Sequence, residues 1–197
     1  MKRFLFTCTM LWLMSHTLWA QIEAGKKLIG GQVLLHGSFS EDENRPKWFA
    51  YALSSYYGYF IKENFTIGAG ISFSKQRAEY EIAGIENIYQ DLSVFAASRY
   101  YIPIGEAKKF YAYLQGSLEF SWNKDEYGSS SQKIVIREYI LAISPGLVYF
   151  PSPQWGLELG FSGLSSKIVD RKGRENYTSV TLGTDSFAPS LGVSYYF

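Results

Sequence analysis

The sequence predicts an all-β protein, an eight-stranded antiparallel up-and-down transmembrane β-barrel, and three observations carry that expectation. Apolar residues alternate with small or polar ones at a period of two in eight segments, the signature of strands with one lipid-facing side. The connections between the segments alternate short and long. After residue 20 no stretch approaches the ~20 apolar residues of a spanning helix. A membrane protein of this composition has to close its sheet, because only helices and closed barrels satisfy every backbone group in lipid.

The chain starts with a short cationic stretch, Met1-Lys2-Arg3, followed by mostly apolar residues from Phe4 to Trp19 and then Ala20-Gln21. This reads as a signal peptide, residues 1–20, cleaved between Ala20 and Gln21, with the barrel domain in 21–197. Thr7, Thr9, Ser15, His16 and Thr17 interrupt the apolar run and argue against a permanent anchor. Cleavage removes Cys8, the one cysteine, so the mature chain has neither disulfide nor thiolate-metal chemistry. Loss of Lys2 and Arg3 from 19 basic residues against 18 acidic ones leaves a mature chain near neutrality, which offers nothing for nucleic acid.

The strands follow in order. The first covers about 28–39, with Ile29, Gly31, Val33, Leu35 and Phe39 outward and Gln32, Leu34, His36 and Ser38 inward. The second, about 48–61, turns Phe49, Tyr51, Leu53, Tyr57 and Tyr59 outward over Ala50, Ala52, Ser54 and Gly58. The third is the clearest: Phe65, Ile67, Ala69, Ile71 and Phe73 face lipid, and Thr66, Gly68, Gly70, Ser72 and Ser74 face the lumen. In the fourth, about 90–102, Leu92, Val94, Ala96, Tyr100 and Ile102 alternate with Ser93, Phe95, Ala97, Arg99 and Tyr101. The fifth, 110–122, sets Leu114, Leu118 and Phe120 against Tyr113, Gln115, Glu119 and Ser121. A mid-strand Glu is costly in lipid and tolerable inside. The sixth covers about 135–150, the seventh about 155–165 with Trp155, Leu157, Leu159 and Phe161 outward and Glu158 inward, and the eighth about 187–197.

Residues 62–64, 103–108 and 151–154 make short turns, 41–46 an intermediate one, and 75–89, 123–133 and 166–186 long polar loops. Short turns on one side and long loops on the other is the arrangement of bacterial outer-membrane barrels, with the short side in the periplasm. Aromatics cluster at the short-turn ends, among them Tyr59, Phe60, Phe65, Tyr100, Tyr101, Phe110, Tyr111, Tyr149, Phe150, Trp155, Tyr195, Tyr196 and Phe197. They form an expected interfacial girdle, with Trp48, Phe49, Phe73, Trp122 and Phe187 marking the opposite rim.

The wording of several segments resembles a known family. Gly58-Tyr59-Phe60-Ile61-Lys62-Glu63-Asn64-Phe65 with Gly68, Ser98-Arg99-Tyr100-Tyr101-Ile102-Pro103, Ser144-Pro145-Gly146-Leu147-Val148-Tyr149-Phe150 and the final Tyr195-Tyr196-Phe197 occur in order across the chain. Together they resemble the small outer-membrane β-barrels related to the OmpA membrane domain and OmpX. The resemblance implies an eight-stranded barrel inserted by the barrel-assembly machinery, with the outward set Leu191, Val193, Tyr195 and Phe197 resembling its C-terminal recognition signal. It implies no single activity, because function is grafted onto a fold rather than specified by it.

Arg99, Glu119 and Glu158 are the candidate lumen network. An eight-stranded barrel is just wide enough for its interior to be filled by side chains, so such charges are expected to pair across it rather than line a wide pore. A narrow channel for ions or small solutes is the alternative. His36 and Ser38 point the same way on one strand, near the outer rim, where a His can activate a Ser if a carboxylate orients it. That pair is the sharpest enzymatic temptation, the alternative of an outer-membrane lipid-modifying enzyme, and it has no evident acid beyond Glu41 and Glu43. The reading is therefore non-enzymatic, with no metal or cofactor called for. The basic run from Lys167 to Arg174 reads as a solvated loop or a contact for anionic lipopolysaccharide. Outer-membrane lipid and an extracellular partner for the loops are the expected contacts. A soluble lipocalin-like barrel, which turns its apolar residues inward around a ligand, is the rival fold.

Overall fold

The computed structural model describes residues 22–38, 47–80, 85–127, 133–171, 177–181 and 189–197. The expected signal peptide and its cleavage site, Cys8, Phe39, Glu41, Glu43, Lys172, Arg174 and Phe187 lie outside them. Ten strands are present among the described residues: β1 (Lys27–Ser38), β2 (Lys47–Lys62), β3 (Phe65–Tyr80), β4 (Ile85–Ile104), β5 (Phe110–Tyr127), β6 (Lys133–Tyr149), β7 (Trp155–Phe161), β8 (Leu164–Arg171), β9 (Tyr177–Thr181) and β10 (Pro189–Tyr196). Every pairing is antiparallel. From β1 each strand pairs with the next as far as β6, β6 pairs with β7, β7 with β10 and β10 with β1, so the sheet closes into a barrel of eight staves. Closure removes the unpaired edge that an open sheet would expose to lipid.

Alternation along each strand decides the two faces. Ile71, Leu118 and Leu191 point outward and are 58, 64 and 69 % exposed, whereas Phe60, Ser93, Tyr101 and Val148 point inward and are fully buried. An outward surface of Leu, Ile, Val, Tyr, Phe and Trp on all eight staves suits lipid and is the inverse of a soluble barrel with an apolar interior. On β4 the outward set from Leu92 to Ile102 is unbroken by charge. At ~3.3 Å per residue and ~40° tilt, that stretch spans about 25 Å of bilayer normal.

The ends of this belt are marked differently. On the short-turn side Tyr59, Tyr100, Phe110, Trp155 and Phe197 are exposed, with Phe110 stacked on Tyr149 at 4.6 Å and Trp155 against Tyr195 at 5.0 Å. Five aromatics expected in that girdle are instead in the interior: Phe60, Tyr101, Tyr111, Phe150 and Tyr196 are 0–3 % exposed. The reason is the pleat, because in pairs such as Tyr100-Tyr101 and Tyr195-Tyr196 only one ring can face out. Trp48 likewise faces inward at the opposite rim, where its ring meets His36 at 4.7 Å.

Two further expectations change. The regions 75–89 and 123–133 are mostly hairpin rather than loop: β3 and β4 stay in register to Tyr80↔Ile85, and β5 and β6 to Glu126↔Lys133. Outside the bilayer both faces of a strand meet water, so the period-two contrast fades while the backbone ladder continues. The region 166–186 also contains strand, β8 and β9.

The seventh stave is broken. β6 pairs with β7 through Gly146↔Gly160 and with β8 through Ile143↔Leu164, which leaves Ser144 and Pro145 opposite Phe161, Ser162 and Gly163. This is a one-residue bulge beside a proline that has no N–H to give the ladder. A one-residue slip exchanges the faces. Leu157 is outward and Glu158 inward on β7, whereas Leu164 and Ile168 are outward and Val169 inward on β8. Gly163 is required at the break, because a Cβ there would run into the carbonyl oxygen of Ile143 and stand 3.0 Å from Ser144 Cα.

Candidate functional site in the barrel interior

The interior has three layers. At the short-turn end, Leu28 of β1, Phe60 of β2, Tyr101 of β4, Tyr111 of β5 and Tyr196 of β10 converge with Val148 and Phe150. Phe60 lies 5.6 Å from Tyr101 and Phe150 4.9 Å from Tyr196, centroid to centroid. The segment before β1 crosses this end. Asn64 donates its backbone N–H to Ile22 O at 3.2 Å, Gly25 donates to Phe60 O at 2.8 Å, and Ile22 is buried against the aromatic set. Asn64 holds its turn at φ 61°, a left-handed conformation that Asn tolerates better than most residues. The short-turn mouth is closed by apolar packing.

Above the plug lies the ion pair between Arg99 and Glu158. Arg99 Nη1 donates to both Glu158 oxygens at 3.0 Å, and the two side chains are 4 and 2 % exposed. Arg99 Nε and Nη2 both donate to Gln115 Oε1, at 3.0 and 2.8 Å, and Nη1 reaches Tyr101 Oη at 3.2 Å. The guanidinium carbon lies 4.2 Å over the Tyr113 ring, with Tyr56 and Tyr101 at 5.4 and 5.8 Å. Glu158 further accepts from Gln32 Nε2 at 3.1 Å and from Ser194 Oγ. Removing two charges from water costs several kcal/mol per ion, and it is recovered only where the remaining lone pairs and protons are satisfied. Here five staves supply the groups: β1, β4, β5, β7 and β10.

Glu119, the third member of the expected network, lies outside this pair. Its carboxylate accepts from Ser93, whose hydroxyl contacts Ser72 at 2.6 Å. It belongs to a wider layer toward the loops, with a cavity of about 310 Å³ whose lining includes Gln32, Ser54, Gln115 and Glu119 beside Leu34 and Phe161. Further out, Asp91 accepts from Ser121, and Glu138 accepts from Lys167 Nζ at 3.1 Å. Lys167 was expected in a basic loop cluster. The bulge at Ser162 and Gly163 turns it inward, onto Glu138.

Sequence alternation foretold the inward orientation of Arg99, Glu119 and Glu158, but not their grouping. Gln32, Gln115, Ser194, Tyr56 and Tyr113 complete the Arg99–Glu158 set and were not singled out. Their one signal was inward parity, which they share with every other lumen residue. His36 is exposed near the outer rim with its ring edge on Trp48. Ser38 is opposite Trp48 in the ladder, and the acids Glu41 and Glu43 lie outside the described residues. Among the described residues no cluster of His, Cys, Asp and Glu is arranged to hold a metal.

No family model and no curated protein sequence matches the chain. Solved structures do. The barrel superimposes on Neisserial surface protein A with a TM-score of 0.53 at 14 % identity, covering 88 % of this chain and 98 % of that one. It also superimposes on the outer membrane protein OprG from Pseudomonas aeruginosa with a TM-score of 0.52 at 11 % identity, covering 91 and 99 %. Both are matched over nearly their whole length, so the fold derived above is shared with them. The chain has the fold of the small eight-stranded outer-membrane β-barrels.

Proposed function

We propose that this chain is an integral outer-membrane protein that conducts no solute, catalyses no reaction and acts at the cell surface through the hairpins beyond the bilayer. The observation that carries the reading is the contrast between the two ends. The short-turn mouth is packed shut beneath a buried ion pair, while β3–β4 and β5–β6 continue as paired ribbons past the apolar belt. On those ribbons the outward residues change from Phe73 and Leu92 to Lys75, Arg77, Glu79 and Glu86, which belong in water. Arg77 bridges Glu79 and Glu86 at 2.9 Å and holds the ribbon surface together.

On the same reading, residues 1–20 direct export and are cleaved after Ala20. The outward row Leu191, Val193, Tyr195 and Phe197 is the face offered to the barrel-assembly machinery. All four residues lie on the lipid side of β10 or at its end, within reach of a partner before the barrel closes.

Membrane fractionation combined with heat-modifiable gel mobility and planar-bilayer recording tests the reading. Outer-membrane recovery, a fast-migrating folded band and conductance at background are expected. Recovery as a soluble periplasmic protein would overturn the membrane placement, and stepwise channel openings lost on Arg99→Met would overturn the sealed interior. Release of fatty acid from membrane lipid that disappears on Ser38→Ala would establish the enzyme reading instead.

A further inference from the structure

The outward face of the barrel carries a pattern at its loop-side boundary that the sequence read linearly does not show. On β2 the outermost lipid-facing aromatic is Phe49, on β3 Phe73, on β5 Trp122 and on β6 Tyr139. The next outward residue is Lys47, Lys75, Lys124 and Arg137 respectively, a cation in every case. The ladder ties three of these positions together: Lys75 is opposite Gln90, Gln90 opposite Lys124, and Arg137 opposite Trp122, one outward step before Lys124, whereas Lys47 stands apart, opposite Glu79. Acids flank the row: Glu79, Glu86 and Glu126 lie further out on their strands, Glu79 faces Lys47 from β3, and Asp170 faces Arg137 from β8.

We infer that this arc is a binding surface for phosphorylated, anionic lipid headgroups of the leaflet on the loop side. The inference rests on the membrane placement argued above. Aromatic rings fix the level of the headgroup boundary, and a cation one outward step beyond each ring lies where lipid phosphates are found. Lysine and arginine stems lie along the apolar belt while their heads reach the polar layer. Lys75 makes no ion pair among the described residues, and Gln90 between Lys75 and Lys124 adds amide donors to the same row. Lys124 contacts Glu126 at 2.8 Å, but both side chains are over a third exposed, and such pairs are worth little in water. A phosphate exchanges for that contact readily. Lys167, the first cation of the run expected to contact lipid, is instead turned inward onto Glu138.

The test uses the full mature chain folded in vesicles, with folding verified first by heat-modifiable mobility. A folded band shows that the membrane placement holds, so a negative result then bears on the arc alone. Spin-labelled phosphatidylglycerol is compared with spin-labelled phosphatidylcholine for association with the barrel surface. The native chain is expected to prefer phosphatidylglycerol, and Lys75→Gln/Lys124→Gln/Arg137→Gln to lose that preference by roughly fivefold or more. Lys62→Gln, at the opposite end, is expected to keep it. If the triple variant does not fold, Lys75→Gln and Lys124→Gln singly carry the comparison. No preference in the native chain, or an equal preference in the variant, overturns the inference. Binding of soluble polyphosphate without any lipid preference also overturns it and assigns the arc to a soluble polyanion.

Discussion

Arg99 is 3 % exposed and keeps its charge by facing Glu158 and Gln115 and by lying over the Tyr113 ring. Removing one partner of such a pair strands the other. Arg99→Met is expected to destabilise the folded barrel by about 3–5 kcal/mol, because Glu158 is left buried with only Gln32 and Ser194 as donors. Arg99→Met/Glu158→Leu is expected to recover most of that loss, since a well-packed apolar pair is often as stable as a buried ion pair. Urea titration of the three proteins in detergent micelles, followed by gel mobility, decides the matter. A double variant less stable than either single one would show that the pair contributes net stability. Arg77 is the contrasting case: its ion pairs are exposed, and Arg77→Ala is expected to cost less than ~1 kcal/mol.

Elements differ in how much of them could be read in advance. β3 and β5 were legible along their lipid-facing lengths because Ile67, Ile71, Leu114 and Leu118 alternate with Gly68, Ser72, Gln115 and Glu119 where one face meets lipid and the other a polar lumen. Their outer extensions were not, since water on both sides imposes no alternation. The bulge between β7 and β8 was hidden for another reason: 155–165 reads as one continuous strand, and only the β6 register shows that the ladder resumes one residue out of step. Gly163→Val is expected to push β8 away from Ile143 and destabilise by about 1–3 kcal/mol, the usual cost of overpacking. Hydrogen exchange of β8 amides faster than that of β3 amides in the variant would locate the damage. Leu118, central on β5 and 64 % exposed, tests the lipid face directly. Leu118→Arg is expected to cost about 2–4 kcal/mol in bilayers, the penalty for a cation near the midplane. The same substitution on a water-facing strand would fall within ~0.5 kcal/mol.

At the scale of the whole molecule, closure and filling act together. Eight staves leave an interior that side chains can occupy, and this chain fills the short-turn half with aromatic rings and the middle with one ion pair. The loop-side half retains a vestibule of about 310 Å³. This asymmetry accounts for the proposed division of labour, with stability at one end and surface contacts at the other. Removing the cork is expected to leave the fold intact: Ile22→Asp should loosen the short-turn mouth without opening a conducting path, because Tyr101 and Arg99 still block the lumen above it. Bilayer recordings that stay at background, together with a modest fall in unfolding midpoint, are the expected outcome.

The sequence by itself determined the all-β class, the eight staves, their mid-strand faces and the inward placement of Arg99, Glu119 and Glu158. Those properties follow from local alternation against two different solvents, and alternation is written in the chain. Only the tertiary structure decided that Arg99 meets Glu158 while Glu119 does not, that Lys167 turns inward, that five of the girdle aromatics form a plug, and that Lys75, Lys124 and Arg137 share a boundary. Each depends on register and closure, which bring together residues from strands far apart in sequence, and a period of two carries no information about which strand a residue will face.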